Sequence, residues 1–371
     1  MQIIKQALYR LFRLLPLKSN VVLFFSYYWE HFSGSPKYLS LFFQEKSEFR
    51  IVWAFTKPNQ HIACETEKVK YNSIRYFYYL AVSGTVITNY RMTEGFSRRR
   101  HQNYIQTWHS SLRLKMIEKD AEDTLPSHYV HMAKQDSKQI SLLLAGSEKS
   151  KEIFERAFWY DGPILASGTP QCDIFFKQKE HFYAKIRDTL HLDQAGKIAL
   201  YAPTFRKSNA SDVYNLNYSF LADFLERQTG EPWTVLVRLH PHYINHKLEL
   251  GDSARVISVT DYDDVQELLC ASDLLITDFS AIMFDFACLR RPCFLYAPDY
   301  EAYIQQDRNL YFSIEDLPFP LAKTQSELHD IIAAFQSEEY LHNLSDFLSG
   351  IGNYDDGNAC ERVYNAIKVT T

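Results

Sequence analysis

The chain has 371 residues, 46% of them hydrophobic, which is enough for two domains with sizeable cores. Its formal net charge of −5 argues against nucleic acid as the main partner. Six cysteines show no CxxC pair and no spacing typical of structural zinc, so we expect them to be reduced core residues of a cytosolic protein.

Residues 1–20 predict an amphipathic helix. Apolar residues recur at helical spacing, namely Ile4, Leu8, Leu11, Phe12 and Leu15. The only charges are four cations, Lys5, Arg10, Arg13 and Lys18. This pattern favours a helix lying on an anionic membrane surface, and the alternative is an ordinary helix packed on its own domain. We expect neither a secretory signal nor a membrane span, since there is no cleavage site and no run of about 18 apolar residues.

The first half of the chain alternates predicted strands and helices. Strands are expected at 21–26, 50–56, 85–88, 104–108 and from 164. Helices are expected at 38–44, 73–82, 136–144 and 153–158. A tight turn with Gly168 and Pro170 follows the last strand, and we place the domain boundary shortly after it. The first domain therefore covers residues 21–178.

The second half, residues 179–371, repeats this alternation. Strands are expected at 197–203, 233–239, 256–259, 274–276 and 293–296, and helices at 220–227, 265–271, 280–289 and through most of 326–369. Regular strand–helix spacing predicts a doubly wound α/β fold in each half, and the last helix is allowed to pack back on the first domain.

The segment from Ser272 to Pro298 has the clearest pattern in the chain, a strand, a turn, a helix and a strand. Thr277 and Asp278 end the apolar run of the first strand, and Ser280 is placed to cap the helix. Backbone N–H groups at such a turn form an anion site at the carboxyl edge of a sheet. The alternative is that Asp278 and Ser280 only cap the helix.

Polar residues that follow predicted strands should gather at the carboxyl edges of the sheets, where open α/β sheets bind ligands. In the first half these are His109, Ser110 and Ser111, with Arg113 and Lys115 close behind. In the second half they are Thr204, Arg206, His240, Asp278 and Ser280. A histidine beside hydroxyls and cations favours a phosphorylated ligand, and an imidazole with an ordinary pKa near 6.5 suits a catalytic base. A lone surface histidine is the alternative.

Three further features leave alternatives open. Three histidines lie within His240–His246, but Pro241 interrupts the run and no acidic residue lies in it, so we expect no transition-metal site. No cofactor is required by the sequence, and Mg²⁺ is left open. Asp285 lies between two phenylalanines, and a ribose hydroxyl or an arginine would serve as its partner. The loop Arg98–His101 suits acidic lipid, substrate phosphate or solvent alone.

Six segments carry a resemblance to a known family. They are TWHSSLRLK at 107–115, SGTPQCD at 167–173, YAPTFR at 201–206, RLHP at 238–241, SDLLITDFSAIMFDFACLRRP at 272–292 and DDGNACERV at 355–363. In their order and spacing they resemble the CDP-glycerol glycerophosphotransferases, the group of teichoic acid primases and polymerases and related capsule polymerases.

The resemblance implies a GT-B fold, in which the second of two Rossmann-like domains holds most of the nucleotide. It also implies an enzyme on the cytoplasmic face of the membrane that moves a polyol phosphate from CDP-glycerol or CDP-ribitol to a lipid-linked saccharide or polyol-phosphate acceptor. The two histidines essential in the family fall on His109 and His240.

The resemblance also suggests roles for individual residues. We expect His109 to act as the base, and His240, Arg206 and Ser280 to stabilise phosphate charge. The other donor-side candidates are Gly168, Pro170, Thr204, Arg238, Thr277, Asp278 and, for the nucleotide, Asp285. Ser110, Ser111, Arg113 and Lys115 are the acceptor-side candidates.

Two segments depart from the family pattern. Ser110-Ser111 replaces the usual Gly-Thr, and Gln171 stands where the family often has Arg. Two other functions therefore remain as alternatives: a GT-B glycosyltransferase that uses a nucleotide sugar, and a non-catalytic membrane-bound scaffold of the same fold.

Overall fold

A computed structural model describes residues 2–59, 62, 66–92, 95–193, 195–206, 214, 216–239, 254–306 and 309–370. The chain divides into two compact units. Unit 1 consists of Met1–Ser111, Ile117–Asp173 and Asn353–Thr371, and unit 2 consists of Leu112–Met116 and Ile174–Gly352. The C-terminal segment is therefore part of unit 1, and a short piece that follows His109 in sequence is part of unit 2.

Unit 1 is built on a parallel sheet of seven strands. In chain order the strands are β1 (Lys18–Phe25), β2 (Arg50–Phe55), β3 (Glu67–Lys70), β4 (Ser83–Thr88), β5 (Asn103–Gln106), β6 (Leu142–Ala145) and β7 (Ile164–Ala166). Their order in the sheet is β3-β2-β1-β4-β5-β6-β7. The strand order reverses between β1 and β4, where Val22 pairs with Thr85.

Six helices belong wholly to unit 1. They are α1 (Gln2–Phe12), α2 (Gly34–Lys46), α3 (Ile74–Val82), α4 (Ser127–Ser137), α5 (Glu148–Ala157) and, at the C-terminal end, α14 (Ala359–Thr370). Ser73 and Ser147 cap α3 and α5 by accepting the backbone N–H groups of Tyr76 and Ser150.

Unit 2 is built on a parallel sheet of six strands. The strands are β8 (Lys197–Tyr201), β9 (Trp233–Val237), β10 (Val256–Ser258), β11 (Leu274–Thr277), β12 (Cys293–Tyr296) and β13 (Leu321–Ala322). Their order is β10-β9-β8-β11-β12-β13, so the strand order reverses between β8 and β11. Residues 274–277 and 293–296 are buried along their whole length because helices cover both faces of a parallel sheet.

The helices of unit 2 lie between and after these strands. They are α6 (Ile174–Lys177), α7 (Lys179–Leu190), α8 (Tyr218–Thr229), α9 (Val265–Ala271), α10 (Ile282–Ala287), α11 (Tyr300–Gln306), α12 (Gln325–Ala333) and α13 (Ser337–Gly350). Both units thus have the Rossmann-like, doubly wound architecture that the sequence predicted.

Three sequence predictions were wrong in detail. The helix expected at 136–144 lies earlier, at Ser127–Ser137, and Leu142–Ala145 is a strand of the sheet. Helix α10 covers Ile282–Ala287 instead of 280–289, and Ala281 precedes it without any side-chain cap, so Ser280 is not the helix cap. Strand β5 ends at Gln106, two residues earlier than expected, because Trp108 has a positive φ of 54°.

Helix α1 packs on α3 of the same unit. Tyr9 is buried and lies 6.2 Å from the ring of Phe77, and Phe12 meets Tyr78 edge-on at 5.6 Å. Among the residues that the structure describes, no helix combines the length and the apolar character needed to cross a bilayer.

Candidate functional site

His109 lies in the loop after β5, at the carboxyl edge of the unit 1 sheet. The loop turns at Trp108, whose backbone N–H donates to the side chain of Gln106 at 3.0 Å. The indole of Trp108 is buried, and its ring lies 4.5 Å from the imidazole of His109, which is exposed. A rigid buried residue therefore presents an exposed imidazole at the sheet edge.

A buried arginine supports Trp108 from the side of the core. The guanidinium carbon of Arg91 lies 6.0 Å from the ring of Trp108 and 4.1 Å from the ring of Phe158. Trp108 and Phe158 also meet edge-to-face at 4.8 Å. These contacts fix the indole plane against which His109 packs.

Arg91 is held by two buried acids. Its guanidinium contacts Glu118 at 2.7 Å and Asp136 at 3.0 Å, and all three side chains are at most 2% exposed. Burial acts to lower the pKa of Arg91, but the charges of Glu118 and Asp136 outweigh it and raise that pKa, so the guanidinium stays charged. Ser137 accepts a further hydrogen bond at 2.8 Å, which completes a rigid polar cluster under the loop.

The two serines that follow His109 are buried instead of presented at the surface. Ser110 and Ser111 are 8% and 5% exposed. The carbonyl of Ser111 accepts a hydrogen bond of 2.6 Å from the hydroxyl of Ser150, on helix α5. The described contacts of this dipeptide therefore hold the loop to α5, and its acceptor-side role stays a prediction.

Residues Leu112–Met116 form part of unit 2. The backbone N–H of Met116 donates to the carbonyl of Asn309 at 2.8 Å, and Leu114 accepts from Tyr311 at 2.7 Å. Arg113 is buried, and its guanidinium donates to the carbonyl of Leu112. Lys115 is half-buried, with its ammonium 4.8 Å from the ring centre of Tyr303. Of the two cations, Lys115 is the more accessible.

The Gly168–Pro170 turn contacts the C-terminal segment of unit 1. Gly168 has a φ of +78°, and a Cβ there would lie 3.1 Å from a carboxylate oxygen of Asp355. The N–H of Thr169 donates to the same carboxylate at 2.5 Å. These contacts account for the glycine, and the phosphate-binding role of Gly168 and Pro170 stays a prediction.

Asp173, at the end of the same turn, caps the last helix. Its carboxylate accepts the N–H groups of Ala359 at 3.0 Å and Cys360 at 2.8 Å. Gln171, where the family often has arginine, accepts the backbone N–H of Ser35 at 3.1 Å in the first turn of α2. The turn therefore connects two helix starts of unit 1.

In unit 2, three of the predicted residues meet at the carboxyl edge of β8 and β11. One carboxylate oxygen of Asp278 accepts from the N–H and the hydroxyl of Thr204, at 2.7 and 2.6 Å. The other forms an ion pair of 2.7 Å with Arg206. Residues 72 and 74 positions apart in sequence therefore lie together, as their positions after predicted strands led us to expect, and their role in binding the donor stays a prediction.

The guanidinium of Arg206 is mostly occupied by the protein. It contacts Asp299 through two hydrogen bonds of 2.6 and 3.0 Å and donates to the carbonyl of Thr204 at 2.8 Å, in addition to the Asp278 contact. Burial acts to lower the pKa of Arg206, but the hydrogen bond to Asp299 and the charge of Asp278 raise it. Arg206 thus positions this cluster, which leaves it few donors for a phosphate.

Two aromatic rings cover the cluster. Phe279 and Tyr303 stack in parallel at 3.8 Å, and the guanidinium carbon of Arg206 lies 4.5 Å from the centre of the Tyr303 ring. The ammonium of Lys115 lies near the same ring. Tyr303 therefore contacts both the half-buried Lys115 and the buried Arg206.

Three of the remaining donor-side candidates, Thr277, Asp285 and Arg238, contact other groups of the protein. Thr277 donates to the carbonyl of Ala202 at 2.7 Å, and Asp285, which is buried, accepts from the side-chain amide of Gln266 at 2.9 Å. Arg238 donates to the backbone carbonyls of Val259, at 3.1 Å, and Tyr262. Ser280 is half-buried.

His240 lies outside the described residues, and so does the rest of the His240–His246 segment.

The sequence analysis missed Asp299 and Arg91. Asp299 follows strand β12 by three residues, and Arg91 follows β4 by the same number. Both strands are predicted from the sequence. A search for polar residues up to three positions beyond each predicted strand would therefore have included Asp299 and Arg91.

Comparison with known proteins identifies relatives over nearly the whole chain. The family model described as CDP-Glycerol:Poly(glycerophosphate) glycerophosphotransferase matches residues 7–369. A teichoic acid poly(glycerol phosphate) polymerase of Staphylococcus epidermidis is 30% identical over 95% of this chain, but the chain spans only 51% of its length. A teichoic acid glycerol-phosphate transferase of Staphylococcus aureus is 28% identical, over 99% of this chain and 98% of the relative.

The solved structure of the wall teichoic acid polymerase TagF is similar in fold. It matches with a TM-score of 0.87 and 28% identity, over 98% of this chain and 93% of that chain.

Proposed function

The chain belongs to the family of CDP-glycerol:poly(glycerophosphate) glycerophosphotransferases, the enzymes of teichoic acid synthesis, and on that premise we propose that it transfers glycerol phosphate from CDP-glycerol to a teichoic acid acceptor. The family match over residues 7–369 is the observation that carries this proposal. A variant of TagF was soaked with CDPG, which supports the same donor for this chain.

In the proposed reaction, an acceptor hydroxyl attacks the β-phosphorus of CDP-glycerol. A new P–O bond forms to the acceptor, the bond to the bridging oxygen of CMP breaks, and CMP leaves. His109 takes the proton of the attacking hydroxyl, a task that its exposed imidazole on a rigid support suits. Phosphoryl transfer otherwise requires positioning and charge stabilisation, which the remaining residues supply.

On the donor side, we assign different tasks to the cations. Lys115, half-buried with its ammonium 4.8 Å from the centre of the Tyr303 ring, provides positive charge for the donor phosphates, and His240 adds to it. Arg206 holds Asp278 and Thr204 in place, since its own donors already contact carboxylates and a carbonyl. Ser280, half-buried after β11, contributes a hydroxyl to the pyrophosphate.

The acceptor is proposed to be anchored at a membrane, and unit 1 has a surface that fits this. Leu11, in its first helix, and Leu14 and Leu15, in the following turn, are 58%, 80% and 42% exposed. Arg13 donates to the carbonyl of Ser97, next to the basic loop Arg98–Arg100. Apolar side chains beside cations are typical of a helix at an anionic membrane surface, and this pattern supports the proposal that the enzyme acts at the cytoplasmic leaflet.

A donor panel with product mass spectrometry tests this function. Incubation with CDP-glycerol and a lipid-linked saccharide should release CMP and increase the acceptor mass by one or more glycerol phosphate units. CDP-ribitol in place of CDP-glycerol tests the polyol. Release of UDP from a UDP-sugar would favour a glycosyltransferase instead, and donor binding without turnover on every acceptor would favour a scaffold.

A further inference from the structure

Three tyrosines at the sheet edge that carries His109 have no part in the mechanism above. Tyr27 and Tyr28 follow β1, and Tyr90 follows β4. The ring of Tyr27 lies 6.5 Å from the imidazole of His109. Tyr28 is 57% exposed, its ring centre lies 3.9 Å from that of Tyr90, and the two hydroxyls are hydrogen-bonded. An aromatic surface therefore lies at the sheet edge that carries the proposed base.

The backbone that presents this surface is held in an unfavourable conformation. Tyr27, Tyr28 and Trp29 have consecutive positive φ angles of 35°, 58° and 64°. Such angles are unfavourable for residues other than glycine, and they persist where the surroundings enforce them, most often at functional sites.

Two anchors enforce this conformation. Trp29 is buried and stacks on Tyr71 at 3.9 Å, while the N–H of Tyr27 donates to the side chain of the buried Asn89 at 3.1 Å. Gly34 leaves room for Asn89, because a Cβ there would lie 2.7 Å from its amide nitrogen. The exposed Tyr28 is thus fixed between two anchored neighbours.

The location is also the one where ligands of this fold bind. Strands β1 and β4 are the neighbours at which the strand order of the unit 1 sheet reverses. Open α/β sheets commonly bind their ligands at the carboxyl edge beside such a reversal. Tyr28 follows β1 and Tyr90 follows β4.

We propose that Tyr28 and Tyr90 form an aromatic platform that binds a sugar ring of the acceptor, next to the hydroxyl that His109 deprotonates. A pyranose ring has an apolar face of C–H groups that packs on an aromatic ring, and its hydroxyls can pair with those of the two tyrosines. An acyclic polyol phosphate has no such face, and its negative charge would gain little from neutral rings. This inference rests on the proposed function and names its acceptor as a saccharide-bearing molecule.

The test compares two acceptors in the Tyr28→Ala and Tyr90→Ala variants. One acceptor is a disaccharide on a short lipid chain, and the other is a glycerol phosphate oligomer on the same chain, which has no ring. We expect either substitution to raise KM for the disaccharide acceptor about three- to tenfold, on the scale of one aromatic contact, without changing KM for the oligomer or the affinity for CDP-glycerol. Tyr28→Phe, which keeps the ring, should stay closer to the wild type.

Phe220→Ala is the matched control, since it removes an exposed ring, 41% exposed, from helix α8 of unit 2. Equal loss on both acceptors, or no change on either, would overturn the platform.

Direct binding of the free disaccharide, measured by calorimetry, separates this inference from the proposed function. If the wild type binds the disaccharide more tightly than Tyr28→Ala but never releases CMP, the platform stands and the proposed function fails. If the wild type does not bind it, the platform is overturned whatever the enzyme releases.

Discussion

Arg206 and Asp278 form an ion pair of 2.7 Å in which the side chains are only 4% and 0% exposed. Two charges removed from water this completely are stable only because each has further partners, Asp299 for the arginine and Thr204 for the aspartate. The pair therefore connects the loops that follow β8, β11 and β12 at the edge where the strand order reverses.

This relationship predicts a large effect of Arg206→Met on stability. Removing the guanidinium leaves the buried Asp278 and the mostly buried Asp299 without their cation. Such a loss typically lowers the free energy of unfolding by about 3–5 kcal/mol. Chemical denaturation should show this loss, and Arg206→Met with Asp278→Asn should recover part of it.

The control for that prediction is Arg255→Met. Arg255 also contacts two acids, Asp223 and Glu226, but these side chains are 38–50% exposed. Exposed ion pairs contribute about 0–1 kcal/mol, so this variant should unfold close to the wild type. Similar losses in both arginine variants would show that burial of the Arg206 cluster does not decide its stability.

His109→Ala should abolish turnover and leave CDP-glycerol binding intact. Loss of a general base typically lowers the rate by about 10² to 10⁴, while the donor candidates of unit 2 are unchanged. Single-turnover CMP release beside calorimetric donor titration checks both parts. Activity within a few-fold of the wild type would remove His109 from the mechanism.

Ser280→Ala distinguishes a phosphate contact from a helix cap. Because Ala281 precedes α10 without a side-chain cap, the substitution should leave the melting temperature unchanged. If the hydroxyl contacts the pyrophosphate, donor affinity should fall about tenfold, the scale of one hydrogen bond to a charged group. Calorimetry beside a thermal melt measures both, and a lowered melting temperature with unchanged affinity would reverse the assignment.

The sequence predicted most strands because a strand buried on both faces is a continuous apolar run. It missed β3, Glu67–Lys70, where three of four residues are charged and only Val69 is buried. It also misplaced α4, which buries few apolar side chains, chiefly Val130 and Ala133. Both elements owe their structure to neighbours that are distant in sequence, and local patterns do not show such neighbours.

For the candidate site, the sequence predicted which side chains lie together but not all of their partners. Strand-end positions brought Thr204, Arg206 and Asp278 together correctly, because parallel strands end at the same edge. They did not show that Arg206 would contact Asp299, 93 residues away, and its contact with a phosphate stays a prediction. The end of a predicted strand tells where a side chain lies in the sheet. The groups that this side chain contacts depend on how the whole chain packs.

His329 should make the stability of the protein depend on pH. Its ring lies 4.9 Å from the ring of Phe220 and 4.7 Å from that of Phe224, and burial lowers its pKa below the ordinary 6.5. The unfolded chain then binds a proton near pH 6.5 that the folded protein binds only at lower pH. The stability from this group is present above pH 6.5 and is lost as the pH falls through the lower, folded value.

His329→Phe should therefore flatten the decline of unfolding free energy as the pH falls below 6.5, while keeping the aromatic packing. Denaturation curves at a series of pH values measure the slope. His128→Phe, at an exposed position of α4, is the control and should keep the wild-type slope. An unchanged slope in the His329 variant would assign the pH dependence to other groups.

The last prediction concerns two exposed leucines, Leu11 in the last turn of α1 and Leu14 shortly after the helix ends. Because Tyr9 and Phe12 hold the helix on α3, Leu11 and Leu14 can change without loss of those contacts. Leu11→Ser with Leu14→Ser should weaken co-sedimentation with anionic vesicles at every salt concentration, since burial of apolar surface is not screened by salt.

Substitution of the cations should act differently. We expect weaker vesicle binding, mainly at low salt, when Lys5, Arg10, Arg13 and Lys18 are all changed to Gln. Each basic residue near an anionic surface contributes about 1 kcal/mol to binding, and salt screens this contribution. In this set Lys18 also donates to the hydroxyl of Tyr78 at 2.7 Å, so a thermal melt must accompany the assay. Ile304→Ser, an exposed change in unit 2, is the control. If the four-cation variant loses activity equally on lipid-linked and soluble acceptors, α1 supports the fold of unit 1 instead. If the intact chain does not bind the vesicles, the membrane proposal for this segment fails.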